Sequence, residues 1–367
     1  MLSDASGTLI GMTLTSTALR RLRFAAQGLH AADRRRLPDV VRNVLAVQAQ
    51  DLRSARLAIR ARTHGLVAGD VDEALAEREV VVSWLMRGTL HLVHRDDYAW
   101  LWALTSPAVA TSNRRRLTQE GVQPADAERA LTVIESALSD GPMTRSELAV
   151  RLAGNGIRTE GQAMPHLLML AALRGLVVLG PVHDGVQAFA LTSEWIGRTP
   201  EPRDRPRAVA ELVRRYLRGH GPATAADIAT WSGIGLRDVR TGLAAIRAEL
   251  DVSGNFVDLA GRKAPAALPC RLLPAFDPYL LGWRDRGFVV DEAHRRRVYP
   301  GGGMLRATAV ADGRAVATWS LRRRGGTTTV DIDAFGEVDD ATTAALHAEA
   351  DDIARFEADA AGAPGSD

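Results

Sequence analysis

The chain has 367 residues, 46% of them hydrophobic and 25% charged, so it is long enough for a sizeable core divided among two or more modules. Its net charge is only +2, yet the isoelectric point is near 9.0, and Lys263 is the only lysine, so nearly all positive charge is arginine. One cysteine, Cys270, excludes an intramolecular disulfide, a cysteine-cluster zinc site and iron–sulfur ligation, and no uncharged apolar run of about 18 residues or basic leader after Met1 points to a membrane or to secretion, so a soluble cytoplasmic protein is expected.

Residues 1–11 read as a flexible leader. Thr15 or Ser16 is placed to cap a first helix carrying Leu19, Leu22 and Phe24. Pro38 opens a second helix through Val40, Val41, Val44 and Leu45, and a new periodic run begins near Ser54 with Leu57 and Ile59. Gln48-Ala49-Gln50 falls in the joint between them. Residues two apart lie about 200° apart on a helix but share a face on an extended segment, so amides that act together require extended backbone here. The plainer alternative is that both are solvated or bonded to helix-end backbone groups.

In the next motif, Trp84 to His91, the residues Trp84, Met86 and Leu90 read as core. Arg87, Thr89 and His91 alternate at period two and are expected to project together from a strand toward DNA. His91 then orients the site or binds phosphate, unless it is a histidine satisfied in a polar core. His94 follows three residues later, but no further histidine or carboxylate pattern completes a zinc site, so neither metal nor cofactor is expected.

Two repeats follow. Leu131 to Leu138 reads as a helix, Thr144 and Glu147 have the spacing of a capping box, a helix runs through Leu167, Leu170 and Leu173, and Val177 to Leu191 forms a hairpin broken at His183-Asp184-Gly185. Helix, capped helix, helix and hairpin is the order of a winged helix. The order returns in Leu212–Leu217, the segment from Gly221 to Asp227, a helix from Leu236 through Ile246, and strands within Val252–Leu259. The expected fold is therefore α+β, with about three tandem winged-helix units at 12–120, 121–200 and 201–264, a β-rich C-terminal module at 265–357 and a disordered tail at 358–367. Within the C-terminal module Asp277, Arg284, Asp285 and Arg286 are expected to form ion pairs bracing the junction.

Arginine clusters carry the partner signal. Four triplets, 34–36, 114–116, 295–297 and 322–324, are spaced along the chain and suit a phosphate backbone, although each also has acidic neighbours to pair with. Arg322, Arg323 and Arg324 stand between β-rich runs at Arg314–Leu321 and Thr327–Ile332, which predicts an arginine-tipped hairpin or, more simply, a solvated turn.

Taken together, Gln48-Ala49-Gln50, the segment Trp84-Leu85-Met86-Arg87-Gly88-Thr89-Leu90-His91 and the segment from Leu273 to Arg286 resemble the winged-helix DNA glycosylases, in particular the branch that unhooks interstrand crosslinks and gives antibiotic self-resistance. The likeness runs from about Leu14 to the C-terminal region. It implies that Gln48 and Gln50 are catalytic; a related branch carries aspartate at the second position. It also implies double-stranded DNA with alkylated or crosslinked purines as substrate, acted on by a monomer. Two neutral amides suit a cationic N7-alkylated purine, whose glycosidic bond breaks without a general acid, and no lysine is placed for a Schiff base. A non-enzymatic winged-helix transcriptional regulator would share the repeats and the arginines, and a nuclease lacks its acidic metal cluster.

Overall fold

The Thr15 hydroxyl accepts a hydrogen bond from the Ala18 N–H at 3.2 Å and so starts α1 (Ser16–Ala26), which buries Phe24. The computed structural model describes residues 14–30, 34–183, 185–197, 204–324 and 327–358, so the leader at 1–11 and the tail from 359 onward lie outside the described residues. Pro38 sits in the first turn of α2 (Leu37–Val44), which stops where Leu45 takes a φ of 69°. The chain then extends as β1 (Val47–Gln48) before α3 (Leu52–Arg60), whose cap is Asp51: its carboxylate accepts from the N–H groups of Arg53 and Ser54. Next come α4 (Ala68–Ala76), the hairpin β2 (Val80–Trp84) and β3 (Leu90–His94), and α5 (Arg95–Gln119), which has Pro107 inside it.

The first repeat comprises α6 (Pro124–Leu138), β4 (Met143–Thr144), α7 (Arg145–Gly154), α8 (Ala163–Leu173), β5 (Val177–His183), β6 (Val186–Leu191) and a short α9 (Thr192–Trp195). The capping box forms: Thr144 Oγ1 accepts from the Glu147 N–H at 3.3 Å, and the Glu147 carboxylate accepts from the Thr144 N–H at 2.7 Å. The second repeat comprises α10 (Arg205–His220), α11 (Ala225–Ser232), α12 (Leu236–Ala245), β7 (Leu250–Ser253) and β8 (Phe256–Leu259), with a second capping box between Thr224 and Asp227.

The hairpins do not stay with their own helices. A six-stranded sheet runs β1-β3-β2-β5-β6-β4, with Val82 opposite Leu179 across the join, so strands the sequence assigns to a first and a second unit share one sheet. The reason lies in β2 and β3, whose apolar side chains are buried on both faces and need cover on each. Val80, Val82 and Leu92 pack into one core with Val40, Leu57, Ile134 and Leu167. Val81 and Val93, on the opposite face, join Phe24, Leu101, Leu212 and Trp231 in a second core. Amides at the edge of this sheet therefore stand between two rigid bodies of packing.

The C-terminal module contains β9 (Arg271–Leu273), α13 (Pro278–Leu281), α14 (Arg295–Val298), β10 (Thr308–Ala311), β11 (Arg314–Arg324), β12 (Thr327–Ala334) and α15 (Asp340–Ala358), with an antiparallel sheet in the order β12-β11-β10-β9. The expected hairpin is present and longer than expected. Arg322, Arg323 and Arg324 are the last three residues of a strand rather than the turn itself, paired with Thr329, Thr328 and Thr327.

Two buried ion pairs tie this module to the α3 region, Arg60 with Glu349 and Arg62 with Asp277. Both carboxylate oxygens of Asp277 accept from Arg62 at 2.8 Å, and Arg62 also donates to Gln27 Oε1 and to the Ala58 carbonyl, each at 2.7 Å. Asp277 is fully buried and caps α13 through the Tyr279 N–H. Of the four charged residues expected to brace the junction, Asp277 does so by an ion pair. Arg284 does so through its backbone N–H, which donates to Asp227 at 2.9 Å; Arg286 stacks on Tyr299, and Asp285 accepts from the Gly287 N–H. Replacing Asp277 by alanine leaves a guanidinium buried without its anion and should lower stability by about 3–5 kcal/mol. The check is the denaturant midpoint, with the slope of the transition unchanged.

Candidate functional site

Gln48 and Gln50 share a face because the backbone through them is extended. The Ala49 N–H donates to the Leu90 carbonyl at 2.8 Å, which makes Ala49 and Leu90 a hydrogen-bonded pair and leaves Gln48 opposite His91 in the closer, non-hydrogen-bonded kind of pair. Ala49 is buried, Gln48 half-buried and Gln50 exposed, so the motif lies at the surface with its small middle residue as the anchor. Gln48 Nε2 donates to Gln50 Oε1 at 2.7 Å. That bond aligns the two amides and leaves the Gln48 carbonyl and the Gln50 amino group as one acceptor and one donor for a ligand.

Behind them runs a cross-strand row of Gln48, His91 and Ser83. His91 Nδ1 donates to the Thr89 carbonyl at 2.9 Å, so Nε2 is the acceptor, 3.5 Å from the Thr89 hydroxyl. Burial, and secondarily the Arg87 charge, pushes the His91 imidazole down to about 3. It is a neutral ring, buried at the back of the row.

The expected period-two strand through Arg87, Thr89 and His91 is only partly present. β3 begins at Leu90; Arg87 lies in a 3-10 turn at Met86–Gly88 with a φ of 57°. The backbone doubles back here because Gly88, with a φ of 75°, sits against α5 and α8: a Cβ on it would lie 2.8 Å from Met169 Cε and 2.9 Å from Val109 Cγ1. The turn directs Arg87, which stays exposed, toward the end of α11, where it donates to the carbonyls of Thr230 and Trp231. Desolvation there and the nearby Arg286 lower its pKa.

The arginine triplet is divided by strand alternation. Arg322 pairs with Asp331 on β12, and Arg323 turns to Glu357 of α15, 3.0 Å away. Arg324 makes no ion pair among the described residues. Glu357 also accepts from Arg53 Nε at 3.0 Å and Nη2 at 2.8 Å. Arg53 and Glu357 went unnoticed in the sequence. The cap Asp51 to Ser54 was a usable sign that Arg53 stands in the first helical turn after Gln50, whereas nothing local marks Glu357. Among the described residues no group of three or more His, Cys, Asp or Glu side chains converges as metal ligands would.

A family model described as DNA glycosylase AlkZ-like matches residues 41–356. The chain belongs to that family. Among curated proteins it is similar to the interstrand DNA cross-link repair glycosylase of Streptomyces sahachiroi, 29% identical over 313 residues that cover 77% of this chain and 81% of the relative. Among solved structures its fold is that of Streptomyces sahachiroi DNA glycosylase AlkZ, with a TM-score of 0.79 at 23% identity over 94% of this chain and 97% of that one. Membership of the AlkZ-like family makes the chain a DNA glycosylase and separates it from the regulator and nuclease alternatives.

The depressed histidines carry a pH signature. His91 and His220, both pushed by burial to about 3, stay neutral in the folded chain, while in the unfolded chain they take up protons near 6.5. The unfolded state binds more protons between those values, so stability falls as pH drops from about 6.5 toward 3, each group adding up to about 1.4 kcal/mol per pH unit. Replacing His91 by glutamine or His220 by phenylalanine should flatten the fall of the denaturant midpoint between pH 6 and pH 4.

Proposed function

We propose that this AlkZ-like glycosylase hydrolyses the N-glycosidic bond of N7-alkylated purines, including purines held in interstrand crosslinks, and leaves an abasic site without a covalent enzyme intermediate. The observation that carries the reading is the hydrogen bond that Gln48 donates to Gln50 on an extended edge at the surface. The chain's likeness to the interstrand DNA cross-link repair glycosylase of Streptomyces sahachiroi supports the substrate.

An N7-alkylated purine is already cationic, so the electrons of the C1′–N9 bond pass into the ring and the base departs neutral without prior protonation. The remaining task is to stabilise the oxocarbenium-like sugar and to hold a water at C1′. The carbonyl of Gln48 accepts a hydrogen from that water and aims its oxygen at C1′; the amino group of Gln50 fixes the second lone pair. The oxygen bonds to C1′ and its proton passes to solvent. A neutral amide is a weak base, so position and electrostatics carry the rate, which restricts the enzyme to labile cationic lesions.

Exposure of the pair matters for crosslinks. A purine tethered to the opposite strand does not rotate freely into a deep pocket, whereas a surface edge reaches it in place. In this reading three winged-helix units act as one monomer in the cytoplasm, arranged about the duplex. Arg322, Arg323 and Arg324 meet DNA from the two faces of the hairpin. Thr89 and His91 form the support behind Gln48, and Arg87 fixes the turn that carries them.

Incubation with duplex containing N7-methylguanine should release the free base and create an alkali-labile site. Gln48→Ala and Gln50→Ala should each lower single-turnover excision by about 10²–10³-fold while DNA binding stays nearly intact. Gln50→Asp should keep part of the activity, since a carboxylate also holds water. Undiminished excision in both alanine variants would remove the proposed site. Excision should also persist in excess chelator, and strict dependence on added metal would overturn the mechanism.

A further inference from the structure

We propose that Arg53 and Arg323, held side by side by the buried carboxylate of Glu357, form a clamp for one DNA backbone phosphate next to the glutamine pair. The inference rests on the reading of Gln48 and Gln50 as the excision site. The Glu357 side chain is only 3% exposed, yet its Oε2 accepts from Arg53 Nε, Arg53 Nη2 and Arg323 Nη2. Both arginine side chains remain partly open to solvent, at 37% and 48% exposure. Two cations thus share one anion, and the trio keeps a net positive charge. Arg53 Nη1 and Arg323 Nε and Nη1 have no partner among the described residues, which leaves N–H donors on both side chains for the oxygens of a tetrahedral anion.

The placement names the ligand. Arg53 stands in the first turn of α3, directly after the cap Asp51 that follows Gln50. Arg323 comes from the far end of β11, and Glu357 from the end of α15. Three segments remote in sequence converge on Glu357, and one of them, Arg53 at the start of α3, follows Gln50 by three residues, which puts the cluster on the chain that leaves the glutamine pair. Strand alternation sends Arg323 to this side and Arg322 and Arg324 to the other, so the triplet does two jobs. Glu357 orders two long side chains before DNA arrives, and less rotamer freedom is then lost on binding.

The test measures binding of an undamaged fluorescent duplex by the full chain as salt is varied, with Arg53→Ala, Arg323→Ala and the double variant. Each single variant should weaken binding about tenfold and lower the salt slope by about 0.9, and the double variant should fall no further because one phosphate is lost once. Arg53→Lys should keep the slope, which guards against a folding defect in the alanine variant. Glu357→Gln keeps both cations but frees them: the slope should hold, while single-turnover excision at saturating protein drops about tenfold. Unchanged affinity and slope in both alanine variants would overturn the clamp, as would Glu357→Gln excision equal to that of the unaltered chain. Millimolar inorganic phosphate should displace the duplex no better than chloride at equal ionic strength; stronger displacement that disappears in Arg53→Ala would assign the site to a free anion and overturn the DNA proposal. Because the binding arm uses undamaged DNA, it reads the clamp even if no excision of N7-methylguanine is found.

Discussion

The Arg62–Asp277 pair is the constraint on which the rest of the architecture hangs. Its two charges lie in the protein interior, with exposures of 1% and 0%, and each is satisfied by more than the other. Arg62 also holds Gln27 and the Ala58 carbonyl, while Asp277 caps α13. Gln27 passes the link on to the Gly219 carbonyl at 2.6 Å. Three segments thus meet at one guanidinium and one carboxylate, and α10 joins them through Gln27. A buried pair of this kind contributes little net stability over a well-packed apolar substitute, but either half alone is strongly unfavourable. Its effect is to fix where the C-terminal module sits relative to the helices that flank Gln48.

Around that anchor the two cores divide the six-stranded sheet by face. Alternation puts Val47 and Ala49 on one side with Val82 and Leu92, and leaves Gln48 on the side of Val81, His91 and Val93. The amides emerge at the sheet edge because β1 is only two residues long and α3 starts at once after Asp51. An edge strand so short offers little to pair with another chain, yet its extended backbone is enough to bring two glutamines onto one face. The neutral His91 behind them follows from the same burial: a charged imidazole there would face the Arg87 cation in a site with little water.

Much of this was legible in the sequence because it is local. Pro38, the capping box at Thr144, the hairpin at Val177–Leu191 and the break in helicity at Gln48 all depend on residues close together in the chain. The long helix α5 escaped notice because it is packed on several sides: Tyr98, Leu101, Leu104 and Leu117 are buried along with Asp97 and Asn113, so no single apolar stripe marks it. The fusion of two hairpins into one sheet was equally hidden, since Val82 meets Leu179 across nearly a hundred residues. Arg87 illustrates the limit most clearly. Its period-two spacing with Thr89 and His91 suggested a strand, but the tight approach of Gly88 to α5 and α8 forces a turn and sends the side chain to the end of α11.

The same limit applies to charge. Read as a string, Arg322-Arg323-Arg324 is one patch of three cations; on a strand it becomes two faces, and each face meets a different carboxylate. The net charge of +2 therefore understates what a duplex would meet only where acids stay buried and arginines stay exposed, as at Glu357. A buried acid between exposed arginines serves both ends of that requirement, since it keeps like charges together without presenting its own charge to a polyanion. If Gln48 and Gln50 act as proposed, neutral amides give little rate as reacting groups, so the advantage must come from holding the strand still. In the proposed mechanism, arginines held in place by Glu357 supply that restraint to the strand that carries the glycosidic bond.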